Sequence, residues 1–193
     1  MRKGEKTRAT IIKVATRLFS EKGVYRVTIP EVAKGVGLSH AALYRYFSDQ
    51  DALFLACVER AVEEGRAALD ESVNPNAPGD KRLRCYIEGN VEWFSTQHSS
   101  AALLLAVFYF SSHNAAIAEF HATFVAASLK RLETHIIQGA REGAWPMQNS
   151  IGKARQIHNL MVGEMIKTLA TPYEMTPKDR SALLWKAVLR VIR

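Results

Sequence analysis

Apolar residues recur along this chain at three- and four-residue steps, and no segment alternates as a strand would. Ile11, Val14, Ala15, Leu18 and Phe19 share one face of a helix predicted from about Lys6 to Lys22, with Gly23 as its C-cap. Ser48 and Asp51 open a capping-box-like start to a helix from about Asp49 to Glu71, inward at Leu53, Cys57, Val62 and Leu69. Asn74-Pro75-Asn76-Ala77-Pro78-Gly79 is the clearest linker. Leu83, Ile87, Val91 and Phe94 then mark a helix from about Lys81 to His98. The run Ala101–Phe110 is apolar throughout and flanked by serines. It falls well short of the ~20 residues that span a membrane and reads as a buried core helix. Ile117, Phe120, Phe124, Leu129, Leu132, Ile136 and Ala140 define a long helix from about Asn114 to Glu142, stopped by Gly143 and Trp145-Pro146. Two last helices are expected at Ser150–Ala170 and Pro177–Ile192. The pattern predicts an all-α fold of about nine helices, without internal repeats.

Thr28 to Phe47 departs from this plain packing pattern. Thr28 and Glu31 form a capping box, and Pro30 falls in the first turn, where its missing N–H costs nothing. Gly37 supplies the positive φ of a sharp turn, and Ser39 caps a second short helix. On that helix Leu43 and Phe47 share a face and are expected in the core. Ala42, Arg45 and Tyr46 point elsewhere, with Tyr44 on their flank, and the alanines allow close backbone approach. Two capped helices, a glycine turn and a basic, aromatic outer face are the pattern of a helix-turn-helix that reads DNA. A generic helical hairpin with surface aromatics is the competing account.

Charge strengthens the DNA reading. The 193-residue chain carries a formal net charge of +7. Residues 1–56 hold ten Lys/Arg against five Asp/Glu, and residues 57–193 hold sixteen against fourteen. The excess lies around the helix-turn-helix, where phosphates would be met. A composition of 48% hydrophobic and 23% charged residues is that of a folded protein with a sizeable core. Cys57 and Cys85 suggest neither disulfide nor zinc site and are expected as buried thiols in a reducing cytosol. Met1-Arg2-Lys3-Gly4-Glu5-Lys6 has no apolar signal region, so a cytoplasmic location is expected. His98, His113, His121, His135 and His158 form no metal signature. No nucleophile elbow or phosphate-binding glycine loop is present. No enzymatic activity, cofactor, metal or membrane partner is therefore expected.

Residues 6–57 closely resemble the DNA-binding domain of the TetR-like (tetracycline-repressor-like) family of bacterial transcription regulators. Ile11, Ala15, Leu18, Phe19 and Gly23 carry the resemblance first, then Thr28-Ile29, Val32-Ala33 and Gly37-Leu38-Ser39. Leu43-Tyr44-Arg45-Tyr46-Phe47 and Leu53-Phe54 complete it. It implies a domain at 1–52 with a three-helix helix-turn-helix, and a helical effector-binding and dimerisation domain at 53–193. It also implies a homodimer on double-stranded, pseudo-palindromic operator DNA and a C-terminal domain that holds a small-molecule effector; the function expected is that of a repressor released by that effector. Two departures stand out. His40-Ala41-Ala42 replaces a common Lys-Gly-Thr, and Gln50 stands where the fourth helix often begins with Lys.

Arg45 is expected to meet a guanine edge or a phosphate, and Tyr44 and Tyr46 phosphates. Thr28, Ser39 and Gln50 are expected at phosphate-facing helix N-termini. His40, Ala41 and Ala42 are expected to face the groove. The candidate effector residues are Trp93, Phe94, Phe108, Tyr109, Phe120, Phe124, Met161 and Met165, suited to an apolar or aromatic ligand. Asn90, His98 and His158 add polar groups beside apolar stripes. Ordinary core packing competes at each. Glu164 is either a cation anchor or an exposed helix position. The last two helices carry more apolar residues than one core needs: Leu160, Met161, Val162 and Ile166, then Leu183, Leu184, Trp185, Val188 and Leu189. They are expected to pair with their symmetry mates as a four-helix bundle, with Leu184 at the interface and Gly163 allowing close approach. The alternative function is a helical small-molecule-binding protein or enzyme that keeps the N-terminal module for protein contacts.

Overall fold

The computed structural model describes residues 3–172 and 174–193, with Tyr25 described by its backbone alone. Met1 and Arg2, part of the N-terminal stretch read above, lie outside the described residues. The all-helical expectation holds: the described residues form nine α-helices and no strand. These are α1 (Lys3–Lys22), α2 (Ile29–Val36), α3 (His40–Tyr44), α4 (Gln50–Ser72), α5 (Gly79–Thr96), α6 (His98–Phe110), α7 (Ala115–Arg141), α8 (Ser150–Ala170) and α9 (Pro177–Ile192). A 3₁₀ turn at Val24–Arg26 joins α1 to α2. Among the described residues no single helix is long and apolar enough to cross a membrane.

The chain divides into two compact units. The first comprises Met1–Glu64 and Ser99–Ile117, the second Gly65–His98 and Ala118–Arg193. The boundary expected at 52/53 falls inside α4, and the first unit runs on to Glu64 and takes in α6. Aromatic packing is the reason. Phe19 on α1 meets Phe54 on α4 edge-on at 6.0 Å, and Phe54 meets Phe110 on α6 edge-on at 5.3 Å. Ile11, Ala15, Val32, Leu43, Leu53, Val58, Leu103 and Val107 fill out the same core. Cys57 is buried there, its thiol donating to the Ile12 carbonyl, and burial pushes its pKa up to about 12. It is an inert core thiol.

In the second unit α5, α8 and α9 pack on one another. Leu83, Ile87, Val91, Ala154, Ile157, Val188 and Ile192 are fully buried. Gly79, at the start of α5, comes against the backbone of Gly139 on α7. Its N–H donates to the Glu142 carboxylate. The Trp145 ring covers Gly139, and its indole N–H donates to the Ile136 carbonyl at 2.9 Å. Lys153 closes the far end of α9 by donating to the Ile192 carbonyl at 2.8 Å. Cys85 is half-buried, not buried as expected. It lines a cavity of about 540 Å³ with Glu88, Lys178 and Ser181.

Two expectations for the last helices are corrected. Leu184 is 5% exposed and Val188 is 0%, so both belong to the core of the second unit. Of the apolar residues singled out on these helices, the outward ones are Leu183 and Ile166, 53% and 45% exposed. The helical repeat turns Leu184 onto the face packed against α5 and α8 and leaves its neighbour outside. Glu164 does hold a cation, from within the chain: the guanidinium of Arg180.

Candidate nucleic-acid interface

Local caps fix the reading head. The Thr28 hydroxyl accepts from the Glu31 N–H, and the Glu31 carboxylate accepts from the Thr28 N–H at 2.9 Å. Lys22, at the end of α1, meets the same carboxylate at 3.0 Å. The Thr28 hydrogen bond, then the Lys22 ammonium, hold the Glu31 carboxyl below its ordinary pKa. Gly37 adopts φ 76°, and its N–H and that of Leu38 satisfy the last carbonyls of α2. The Ser39 hydroxyl accepts from Ala42 N–H at 3.2 Å and starts α3. Val32 and Leu43 are fully buried, so the two helices share one core. Arg8 on α1 lies over the Phe47 ring at 5.1 Å and braces the end of the reading helix.

That frame presents one continuous outer face. His40, Ala41, Tyr44 and Arg45 are exposed, and Ala42 and Tyr46 are half-buried. The His40 and Tyr44 rings, one turn apart, lie 4.8 Å from each other. Among the described residues the Arg45 side chain meets no partner, which leaves its five donors available.

Thr28, Ser39 and Gln50 are placed differently from one another. Thr28 and Ser39 are exposed, and both hydroxyls are committed to capping. Gln50 is half-buried and its amide donates to the Val24 carbonyl at 2.7 Å, across to the turn before α2. The expected Ser48–Asp51 start of α4 is also corrected. Asp49 is the cap: it accepts from Ala52 N–H at 2.8 Å and from the Ser48 hydroxyl at 2.8 Å. The Ala52 N–H and then Ser48 hold its carboxyl below the ordinary pKa. A carboxylate thus already occupies this helix N-terminus, which weakens it as a phosphate site. An Asp directly before the first helical residue is the signal for this cap; the Arg8–Phe47 contact left no signal in the pattern.

The effector candidates are less convergent. Phe108 belongs to the first unit and the others, Tyr109 aside, to the second. Phe94, Met161 and Met165 are buried core. Trp93 is half-buried and packs on Gly65. Asn90 is half-buried, its amide donating to the Tyr86 carbonyl at 2.7 Å. His98 is exposed, because α5 stops at Thr96 and His98 begins α6. Tyr109 is exposed too. Phe120 and Phe124 are half-buried with parallel rings 6.4 Å apart. His158 is half-buried, and burial first, then the charge of His121, lowers its pKa. None of these residues lines the 540 Å³ cavity of the second unit.

A capped bihelical reading head with a bare aromatic and basic face, on an all-helical scaffold, defines a helix-turn-helix protein of the DNA-binding class. Residues 11–57 match the family described as bacterial regulatory proteins, tetR family. Residues 11–57 thus resemble that family's DNA-binding module, and the chain as a whole shares the all-helical fold of the solved regulators named below. The transcriptional regulator AcrR of Shigella flexneri is 36% identical over 76 residues, covering 39% of this chain and 35% of that protein. The match thus spans about a third of that relative's length. A tetR-family regulatory protein from Rhodococcus RHA1 superposes with a TM-score of 0.80 at 20% identity, covering 97% of each chain. A transcriptional regulator from Saccharomonospora viridis, solved in complex with choline, gives 0.84 at 19% identity and covers 96% of each.

Proposed function

We propose that the chain is a homodimeric, cytoplasmic transcriptional repressor that binds a pseudo-palindromic operator and is released from it by a small-molecule effector. The observation that carries the DNA reading is the bare face of α3: His40, Tyr44 and Arg45 exposed on a helix whose caps and core contacts are complete. Ala41 and Ala42 offer methyl groups to thymine, Tyr44 and Tyr46 hydroxyls to phosphate, and Arg45 a fork to guanine or phosphate. Gln50 acts through the Val24 carbonyl, as a brace for the head.

The effector reading rests on the second unit. Phe120, Phe124, Trp93 and His158 are all half-buried there, with apolar surface not closed by their own unit. The choline held by the Saccharomonospora viridis neighbour supports a small-molecule effector, without fixing its chemistry. An effector releases DNA only if its affinity differs between the two arrangements of the reading heads.

The test is selection of bound fragments from random duplex DNA, followed by anisotropy titrations at several salt concentrations. A repeated inverted motif is expected, with log affinity falling by about 0.9 per phosphate neutralised for each unit of log salt. Salt-insensitive binding, or none above background, would overturn the reading.

A further inference from the structure

The first unit holds a cavity of about 270 Å³ beneath the reading head, between the first turn of α4 and the turn joining α6 to α7. Asn114 spans its rim. Its carbonyl oxygen caps α7 by accepting from Ile117 N–H at 3.1 Å, and its amide donates to Asp51 Oδ2 at 2.7 Å. Phe54, Phe110 and Ile117 supply apolar wall.

Asp51 Oδ1 meets no donor among the described residues. Gln50 spends one amide N–H on Val24 and keeps Oε1 as an acceptor. The Ser112 hydroxyl donates to the Tyr109 carbonyl at 2.8 Å and lies 2.7 Å from His113 Nδ1; with that hydroxyl committed to the carbonyl, the Nδ1–H tautomer is the one assigned to His113. That tautomer leaves His113 Nε2 with a lone pair. No lysine or arginine lines the cavity. Asp49 already takes the Ala52 N–H at the start of α4, so an anion would find little there. The lining therefore offers three acceptors, one of them a carboxylate, beside apolar and aromatic walls.

We propose that this cavity is a binding site for a small primary ammonium carrying a short apolar body. Three N–H donors match three acceptors, the carboxylate answers the charge, and the Phe54 and Phe110 rings take the hydrocarbon. The volume lies just below the range of drug-sized pockets. The site shares no residue with the effector candidates of the second unit, so it stands or falls apart from that reading. An occupant would press on Asp51 and Gln50, the residues that tie α4 to Asn114 and to Val24.

The experiment is titration of the full chain with n-butylammonium chloride, using n-butanol and sodium butyrate as neutral and anionic controls. The side-chain amide resonances of Gln50 and Asn114 are followed by NMR. Saturable shifts at both amides are expected with the ammonium alone. Asp51→Asn should weaken the affinity roughly tenfold, the loss of one charge-assisted bond. His113→Leu, which leaves the Asn114 bond untouched, should weaken it several-fold and serves if Asp51→Asn fails to fold. An equal response to butanol, unchanged affinity in a folded variant, or shifts confined to the second unit would overturn the proposal.

Discussion

The guanidinium of Arg180 lies 3.0 Å from the carboxylate of Glu164, and only 1% of the arginine side chain is exposed. It also donates to the Thr171 carbonyl at 2.6 Å, so one side chain ties α9 to α8 and to the turn between them. Removing one partner strands the other charge in a low-dielectric site. Glu164→Gln is expected to cost about 3–5 kcal/mol, read as a lower urea midpoint. The double variant Arg180→Met, Glu164→Leu should recover most of that loss. If the single variant is neutral, the pair is solvated and does not hold the helices.

Gly139 has no room for a side chain. A methyl group there would collide with the Trp145 ring, and one on Gly79 would collide with the Gly139 backbone. Gly139→Ala should therefore destabilise by roughly 1–3 kcal/mol despite alanine's better helix propensity. Thermal unfolding of Gly139→Ala beside Gly4→Ala, where the space is open, checks it. Equal midpoints would mean that the Trp145 ring moves aside without cost.

Most of the fold was legible because its signals are local. The last two helices begin and end where Thr176, Pro177 and the chain breaks place them, and the Thr28–Glu31 box and Gly37 marked the reading head residue by residue. The missed features depend on partners far along the chain. Gln50 looked like a phosphate contact because nothing local reveals the Val24 carbonyl. The partner of Arg180 left no local signal because Glu164 lies sixteen residues away on another helix. Leu183 and Leu184 are equal in composition, and only the rotation of α9 against α5 and α8 separates them. The effector candidates were least legible, since half-burial beside a core leaves the same pattern as the core itself.

His135 should make the protein acid-sensitive. Burial, then the positive charges of Arg82 and Arg131, pull its pKa down to about 4. The unfolded chain takes up that proton near 6.5. Between those values the unfolded state binds more protons, so stability is complete above about pH 6.5 and falls toward pH 4. His135→Gln should flatten the dependence in that window, measured as urea midpoints at pH 4.5, 5.5 and 7. His158, lowered by burial and His121, will leave a residual slope. An unaltered slope would remove His135 from the account.

On the reading helix, Arg45→Ala should cost about 1–3 kcal/mol of operator affinity if the fork meets a guanine, with relaxed preference at one position per half-site. A uniform loss across sequences would make Arg45 a phosphate contact. Tyr44→Phe should lose a fraction of that and keep the tilted ring contact with His40. Gln50→Ala should lower the melting temperature more than it changes base preference, because its partner is the Val24 carbonyl. A clean specificity change at Gln50 with unchanged stability would reverse that assignment.

The homodimer expected through α8 and α9 now has different test positions. Leu184 is core, so Leu184→Glu would unfold the second unit and say nothing about assembly. Ile166 and Leu183 stand outward, and Gly163 has open space above it. A second copy seated on these helices would explain why two large apolar side chains stay exposed and why a helix centre tolerates glycine. Leu183→Glu and Ile166→Glu should each give folded monomers with weakened operator binding, by light scattering and anisotropy. Gly163→Ala separates the cases further. In a free monomer it should raise stability by about 0.5–1 kcal/mol, the ordinary gain of alanine in a helix. Across a close helix–helix contact it should raise the dimer dissociation constant instead. A wild-type chain that sediments as a monomer at micromolar concentration would end the dimer hypothesis.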